Sequence, residues 1–162
     1  MSHSLEKIAF HTLGCKLNFS ETSTMARDFM SRGFSIVKDF ENANIHIINT
    51  CSVTDKADKK AKRIIKKIIQ TSDNPYITVL GCYAQLKPEQ IAEINGVNLV
   101  IGDKEKLNVA KHVIDNYNND SVQIIHSPIN ASNNFQSSFS MNDRVRSYLK
   151  IQDGCDYPCT YC

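Results

Sequence analysis

The chain has 162 residues, of which 41% are hydrophobic and 22% charged, with a formal net charge of +2. That length suits one ordinary domain able to bury roughly 70% of the surface its unfolded form exposes, and the composition excludes disordered and fibrous classes. The first seven residues hold no apolar run of the signal-peptide kind and no stretch approaches a membrane span, so the expected compartment is the cytoplasm, with no membrane partner. There the six cysteines, Cys15, Cys51, Cys82, Cys155, Cys159 and Cys162, are expected to be reduced, which favours metal binding or catalysis over disulfides.

In chain order, a β-rich run over residues 7–11 leads through Thr12, Leu13 and Gly14 to Cys15. Ser20 offers an N-cap, and a helix follows with a partial apolar stripe at Met25, Phe29 and Met30 and a stop at Gly33. Short strands are predicted at 34–37 and 45–48, the second running into Asn49, Thr50 and Cys51. Asp55 opens a helix to about Gln70, with apolar residues recurring at Ala57, Ala61, Ile64, Ile65, Ile68 and Ile69. After a turn at Asp73, Asn74 and Pro75, residues 76–80 form another apolar strand ending in Gly81 and Cys82. A short helix beginning at Pro88, a strand at 99–101 and a helix over 104–116 complete the series.

Strands that alternate with helices and are apolar on both faces predict a doubly wound α/β domain. Its mostly parallel, five-stranded sheet is expected to have a flavodoxin- or Rossmann-like order and to end near residue 116. Residues 117–143 turn to Asn and Ser and read as a linker with one short strand at 122–125; residues 144–162 read as the start of a second, truncated domain, opening with a strand over 145–152.

Cys15, Cys51 and Cys82 each fall just past the carboxyl end of a predicted strand. In the flavodoxin-like order 2-1-3-4-5 those strands are neighbours, about 4.8 Å apart, and such sheets bind ligands outside their carboxyl ends. Three loops there can converge on an object the size of an iron-sulfur cube. The competing reading is that the three thiols pack as small hydrophobes; structural zinc fits less well because paired C-x2-C ligands are absent. Cys155, Cys159 and Cys162 form a denser C-x3-C-x2-C pattern. Three thiolates on a 4Fe-4S cube leave one iron open to substrate, with an incomplete zinc site as the alternative.

Cys155-Asp-Tyr-Pro-Cys159-Thr-Tyr161-Cys162 matches the radical S-adenosylmethionine motif. The runs Thr12-Leu-Gly-Cys15-Lys-Leu-Asn18 with Glu21 and Thr22, Asn49-Thr-Cys51-Ser-Val-Thr54, and Gly81-Cys82-Tyr-Ala-Gln85 resemble the N-terminal domain of radical methylthiotransferases. Lys-Leu-Asn after Cys15 and Ser-Val-Thr after Cys51 are most similar to the branch acting on threonylcarbamoyladenosine in tRNA. The isopentenyladenosine branch usually carries Gln-Met-Asn, and the ribosomal-protein branch Pro-Lys-Asn, after the first cysteine. The resemblance implies two 4Fe-4S clusters, each on three cysteines. Cys155, Cys159 and Cys162 would hold the radical cluster and S-adenosylmethionine, with Tyr161 near its adenine. Cys15, Cys51 and Cys82 would hold an auxiliary cluster that presents sulfur, and Asn18, Asn49 and Thr50 are either partners of cluster sulfurs or loop caps. It also implies that the remainder of a radical-SAM barrel and an RNA-binding domain lie beyond these residues, that this portion alone is inactive, that no catalytic side chain is identified within it, and that an electron donor protein is needed.

The helix after Cys51 clusters Lys56, Lys59, Lys60, Lys62, Arg63, Lys66 and Lys67, a face suited to tRNA phosphates near the anticodon loop or simply to solvent. His11, His46, His112 and His126 show no ligand spacing and read as structural or exposed; Lys104, Lys106 and Lys111 are too scattered to add to the basic face. Two other classes compete: a non-enzymatic metal-binding RNA module, and a Rossmann-like small-molecule domain, which the missing G-x-G-x-x-G disfavours.

Overall fold

The computed structural model describes residues 6–38, 42–51, 55–127, 135–141 and 146–152. Cys155, Cys159, Tyr161 and Cys162 therefore lie outside the described residues. The elements in order are β1 (Lys7–Thr12), α1 (Lys16–Ser31), β2 (Ser35–Val37), β3 (Ile45–Thr50), α2 (Asp55–Thr71), β4 (Tyr76–Gly81), α3 (Cys82–Leu86), α4 (Pro88–Ala92), β5 (Val97–Ile101), a 3-10 turn at Lys106–Asn108, α5 (Val109–Asn116), β6 (Gln123–Ile125), β7 (Ser138–Phe139) and β8 (Leu149–Lys150).

The first six strands form one sheet in the order β2-β1-β3-β4-β5-β6, with every pairing parallel. This is the flavodoxin-like order, carried one strand further than the five counted from the sequence: the short strand read within residues 122–125 adds to the edge as β6. All six residues of β3 and of β4 are buried, as expected of central parallel strands with helices on both faces. One face packs Ile8, Ile45, Ile47 and Leu80 against Met25 and Phe29 of α1 and Val109, Ala110 and Val113 of α5. The other packs Ile48, Ile77, Val79 and Val100 against Ala61, Ile65 and Ile68 of α2, Tyr83 of α3 and Ile91 of α4.

Three expectations change. Helix α1 starts at Lys16 with Cys15 as its N-cap, not at Ser20. The Ser20 hydroxyl bonds back to the Leu17 carbonyl at 2.8 Å and to Ser138 Oγ at 3.0 Å, so it is a satisfied helix-interior serine rather than a cap. The expected helix over 104–116 splits into the 3-10 turn and α5. Strand β8 is shorter than the run read over 145–152; it pairs antiparallel with β7, and the pair lies against α1, where Arg27 Nη2 donates to the Phe139 carbonyl at 2.7 Å. Among the described residues no helix is long and apolar enough to cross a membrane.

Candidate functional site

Strands β1, β3 and β4 are adjacent and parallel, so their carboxyl ends meet at one edge, with Thr12 level with Asn49 and Thr50 level with Gly81. Each chain passes directly into a cysteine region: Cys15 caps α1, Cys51 follows β3, and Cys82 opens α3. The structure thus brings together the first three sequence-predicted site residues at one sheet edge. Cys15 is exposed, Cys82 half-buried and Cys51 buried.

Backbone shape makes this convergence close. Gly14 has φ +99°, and a Cβ there would stand 2.4 Å from Cys51 Cβ and 3.1 Å from its Sγ, so the loop carrying Cys15 touches Cys51 only because residue 14 has no side chain. Gly81, at φ +96°, does the same for the next pair: a Cβ would meet the Thr50 carbonyl at 2.5 Å.

Hydrogen bonds then staple the three loops. Asn18 Nδ2 donates to the Leu13 carbonyl at 2.7 Å and the Thr50 carbonyl at 3.1 Å, joining the first loop to the end of β3. Asn49 Nδ2 donates to the Asn18 carbonyl at 3.0 Å, and Thr50 Oγ1 donates to the Leu80 carbonyl at 2.6 Å. These three polar residues tie the loops together, and Asn18 Oδ1 also accepts from the Cys15 thiol at 3.5 Å. Gln85 extends the frame: its Oε1 accepts from the Asp103 amide at 2.9 Å and its Nε2 donates to the Ser127 carbonyl at 3.2 Å.

Charge reaches the edge from a buried ion network that sequence inspection missed. Glu21, fully buried on α1, pairs with Lys106 Nζ at 2.8 Å and Lys150 Nζ at 3.3 Å, and Lys106 also holds Asp103 at 2.6 Å. Burial pulls the Lys106 ammonium down, but Glu21 and Asp103 outweigh it and raise its pKa. Burial pushes the Cys82 thiol up; Asp103, Cys51 and Glu21 push the same way, against Lys106. Glu21 appears in the first cysteine motif, but nothing in the sequence pairs it with two distant lysines.

Among the described residues, no three His, Cys, Asp or Glu side chains lie close enough to hold a single metal ion. The donor set at this edge is three cysteine thiols, and thiolates are the usual ligands of iron-sulfur clusters. The N-terminus of the 16-residue α1 beside Cys15 also favours a negatively charged group there. A metal would deprotonate a coordinating Cys82 outright whatever its metal-free pKa.

On α2, Lys56, Lys59, Lys60, Lys62, Arg63, Lys66 and Lys67 are all exposed, while Asp58 turns to Lys87 Nζ at 2.9 Å. A cavity of about 230 Å³ lined by Asp58, Lys59, Lys62, Tyr83, Lys87 and Gln90 joins this basic face to α3, the helix Cys82 opens. His11 and His46 form a buried stacked pair, ring nitrogens 3.0 Å apart, on the α2 face of the sheet, in keeping with their structural reading. His112 Nε2 lies 3.3 Å from Glu105.

The family described as "Uncharacterized protein family UPF0004" matches residues 7–102, the stretch that holds all three cysteine loops of this edge. The chain is 37% identical to the threonylcarbamoyladenosine tRNA methylthiotransferase MtaB of Bacillus subtilis, over 96% of this chain and 35% of that protein. It is also 37% identical to MtaB of Thermotoga maritima, over 98% of this chain and 36% of that protein. Identity to the ribosomal protein uS12 methylthiotransferase RimO of Prochlorococcus marinus is 29%, over 98% of this chain and 35% of that protein. The chain thus spans about a third of the length of the curated relatives it matches.

Proposed function

We propose, from the premise that this chain belongs to the UPF0004 family and that its relatives are methylthiotransferases, that it is the N-terminal part of a radical-SAM tRNA methylthiotransferase. In this reading Cys15, Cys51 and Cys82 hold one 4Fe-4S cluster by three irons. Cys155, Cys159 and Cys162 hold a second, with S-adenosylmethionine bound beside Tyr161. The substrate is threonylcarbamoyladenosine next to the tRNA anticodon, converted to its 2-methylthio derivative in the cytoplasm with electrons from a donor protein. The observation that carries the proposal is the meeting of three cysteines at the carboxyl ends of three adjacent parallel strands, with their loops tied by Asn18, Asn49 and Thr50.

When bound, the clusters supply one-electron reduction of S-adenosylmethionine and the sulfur that is transferred. The chain's own work is to present three thiolates in fixed positions. Gly14 and Gly81 let neighbouring loops close, the asparagine ties hold them, and the α1 N-terminus offsets negative charge beside Cys15. The exposed lysines of α2 are suited to tRNA phosphates. Higher identity to the two threonylcarbamoyladenosine-acting relatives than to the ribosomal-protein enzyme, together with Lys-Leu-Asn after Cys15, favours the threonylcarbamoyladenosine branch.

Anaerobic reconstitution of the full-length protein tests the cluster assignment. Iron and sulfide should match two clusters, and Cys51→Ala should lower both by about half. Uptake of zinc with no sulfide overturns it. Nucleoside mass spectrometry of tRNA from cells lacking the gene tests the substrate. Loss of the methylthio form of threonylcarbamoyladenosine is expected, and an unchanged nucleoside profile overturns it.

A further inference from the structure

The ion network around Glu21 joins two regions of the chain that the fold would otherwise leave to separate interactions. Glu21 is 0% exposed, and its two carboxylate oxygens are divided between two lysines from different places. Lys106, in the 3-10 turn after β5, takes Oε2, and Lys150, on β8, takes Oε1. The lysine side chains are themselves 6% and 2% exposed. With Asp103 on Lys106, the set holds two carboxylates and two ammoniums, so it is neutral only when Lys150 is seated.

A buried charge set of this kind is a poor source of stability compared with apolar packing, because desolvation cancels most of the Coulomb gain. Removing one member, however, leaves another charged and dry, so such a set penalises any arrangement that separates its members. The arrangement it holds here is that of the β7–β8 pair on α1. Other contacts also hold that pair: the buried bond of Ser20 to Ser138 at 3.0 Å, Arg27 Nη2 to the Phe139 carbonyl at 2.7 Å, the Phe139 amide to Thr24 Oγ1 at 3.2 Å and the Met141 amide to Ser23 Oγ at 3.3 Å. Lys150 is the member that joins the buried charge set. Its chain leads on to Cys155, whereas Asp103 of the same set is held through its amide by Gln85 Oε1 at 2.9 Å, on α3, the helix that Cys82 opens.

We propose that Glu21 is a positioning residue that, through Lys150, holds the β7–β8 pair in register on α1, and so fixes the end of the segment that precedes Cys155 beside the sheet edge of Cys15, Cys51 and Cys82. The inference rests on the reading of both regions as cluster sites, but the tie itself is a property of the polypeptide.

The test uses the full-length protein with Glu21→Gln, Lys150→Met and Lys150→Arg. In the metal-free protein the reporters are the Ser140 amide, bonded to the Tyr148 carbonyl at 2.9 Å, and the Tyr148 amide, bonded to Ser140 Oγ at 2.7 Å. With Lys150→Met or Glu21→Gln, hydrogen exchange at both should quicken by about tenfold or more, and Lys150→Arg should restore it. In the reconstituted protein, iron content should stay at the wild-type value while S-adenosylmethionine cleaved per methylthio group transferred rises severalfold, again restored by Lys150→Arg. If Glu21→Gln fails to fold, Lys150→Met decides, because it leaves Glu21 paired with Lys106. Unchanged exchange in Lys150→Met overturns the tie, as does a cleavage ratio that Lys150→Arg and Lys150→Met disturb equally. A wild-type protein that binds no iron overturns the cluster reading instead, and exchange in the metal-free chain still decides the tie.

Discussion

Helices α1 and α2 leave neighbouring strands at the same sheet edge, each shortly after a cysteine, and cover opposite faces of the sheet. They are built differently. α2 has one apolar stripe, Ala61, Ile65 and Ile68, each fully buried, and an opposite face of exposed lysines and arginine. α1 buries Met25 and Phe29 but also Asn18, Ser20, Glu21 and Ser23. The cause is the number of neighbours. α2 packs on the sheet, borders α3 and α4 along one side, where Asp58 meets Lys87, and otherwise faces solvent, whereas α1 is covered on a second side by the β7–β8 pair and the 3-10 turn, which answer its polar residues with hydrogen bonds and ion pairs. A helix with two covered sides can carry positional information on the polar one.

Three measurements would break or sharpen this contrast. The largest effect belongs to the apolar side of α1. Phe29 is fully buried and meets the rings of Phe10 and Phe34 edge-on at 6.0 and 5.3 Å. Phe29→Ala should cost about 3–5 kcal/mol in urea unfolding; a cost near that of a surface substitution would mean the α1 core is not built as described.

Next comes the α2 face of the sheet, where His46 Nε2 lies 3.3 Å from Ser72 Oγ, just past the end of α2. Burial lowers both His11 and His46 to about 4, with the His46 and Lys67 charges adding to the shift at His11 and a backbone bond at Ala43 opposing it at His46. Both rings are therefore neutral in the fold at pH values where the unfolded chain, titrating near 6.5, already binds protons. Stability should fall as pH drops from about 6.5 to about 4, by up to about 3 kcal/mol for each ring, and this contribution should level off below that. Unfolding measured across that range should show a flatter profile for His11→Gln; an identical slope would contradict the buried neutral pair.

The smallest effect on stability is expected on the outer face of α2. Lys62→Gln and Lys66→Gln should each change unfolding by less than about 0.5 kcal/mol. In the full-length protein each should weaken tRNA binding and reduce the salt dependence by about one unit of slope. Binding unchanged at low salt would leave those lysines as a solvated surface.

Much of the fold was readable from the order of residues. The apolar runs of β3 and β4 announced buried parallel strands, and the spacing of Ala61, Ile65 and Ile68 announced α2, because both signals come from burial against a single flat neighbour. The start of α1 was misplaced because Ser20 is a good capping residue out of context, yet its hydroxyl has partners inside the helix. Strand β7 carries no signal because two residues in an Asn- and Ser-rich segment show no periodic pattern, whereas β8 lies within the strand read over 145–152.

The amino-acid order by itself determined that three cysteines follow three strand ends, since strand and cysteine are adjacent in the chain. The alternation of strands and helices also pointed to the order that makes those strands neighbours, but that Gly14 lets Cys51 lie against the first loop and that Glu21 meets a lysine 129 positions away were decided by tertiary structure alone. Local patterns report what each residue needs, such as burial, a turn or a partner. Only the folded chain selects which distant residue supplies it, because that selection depends on all the packing at once.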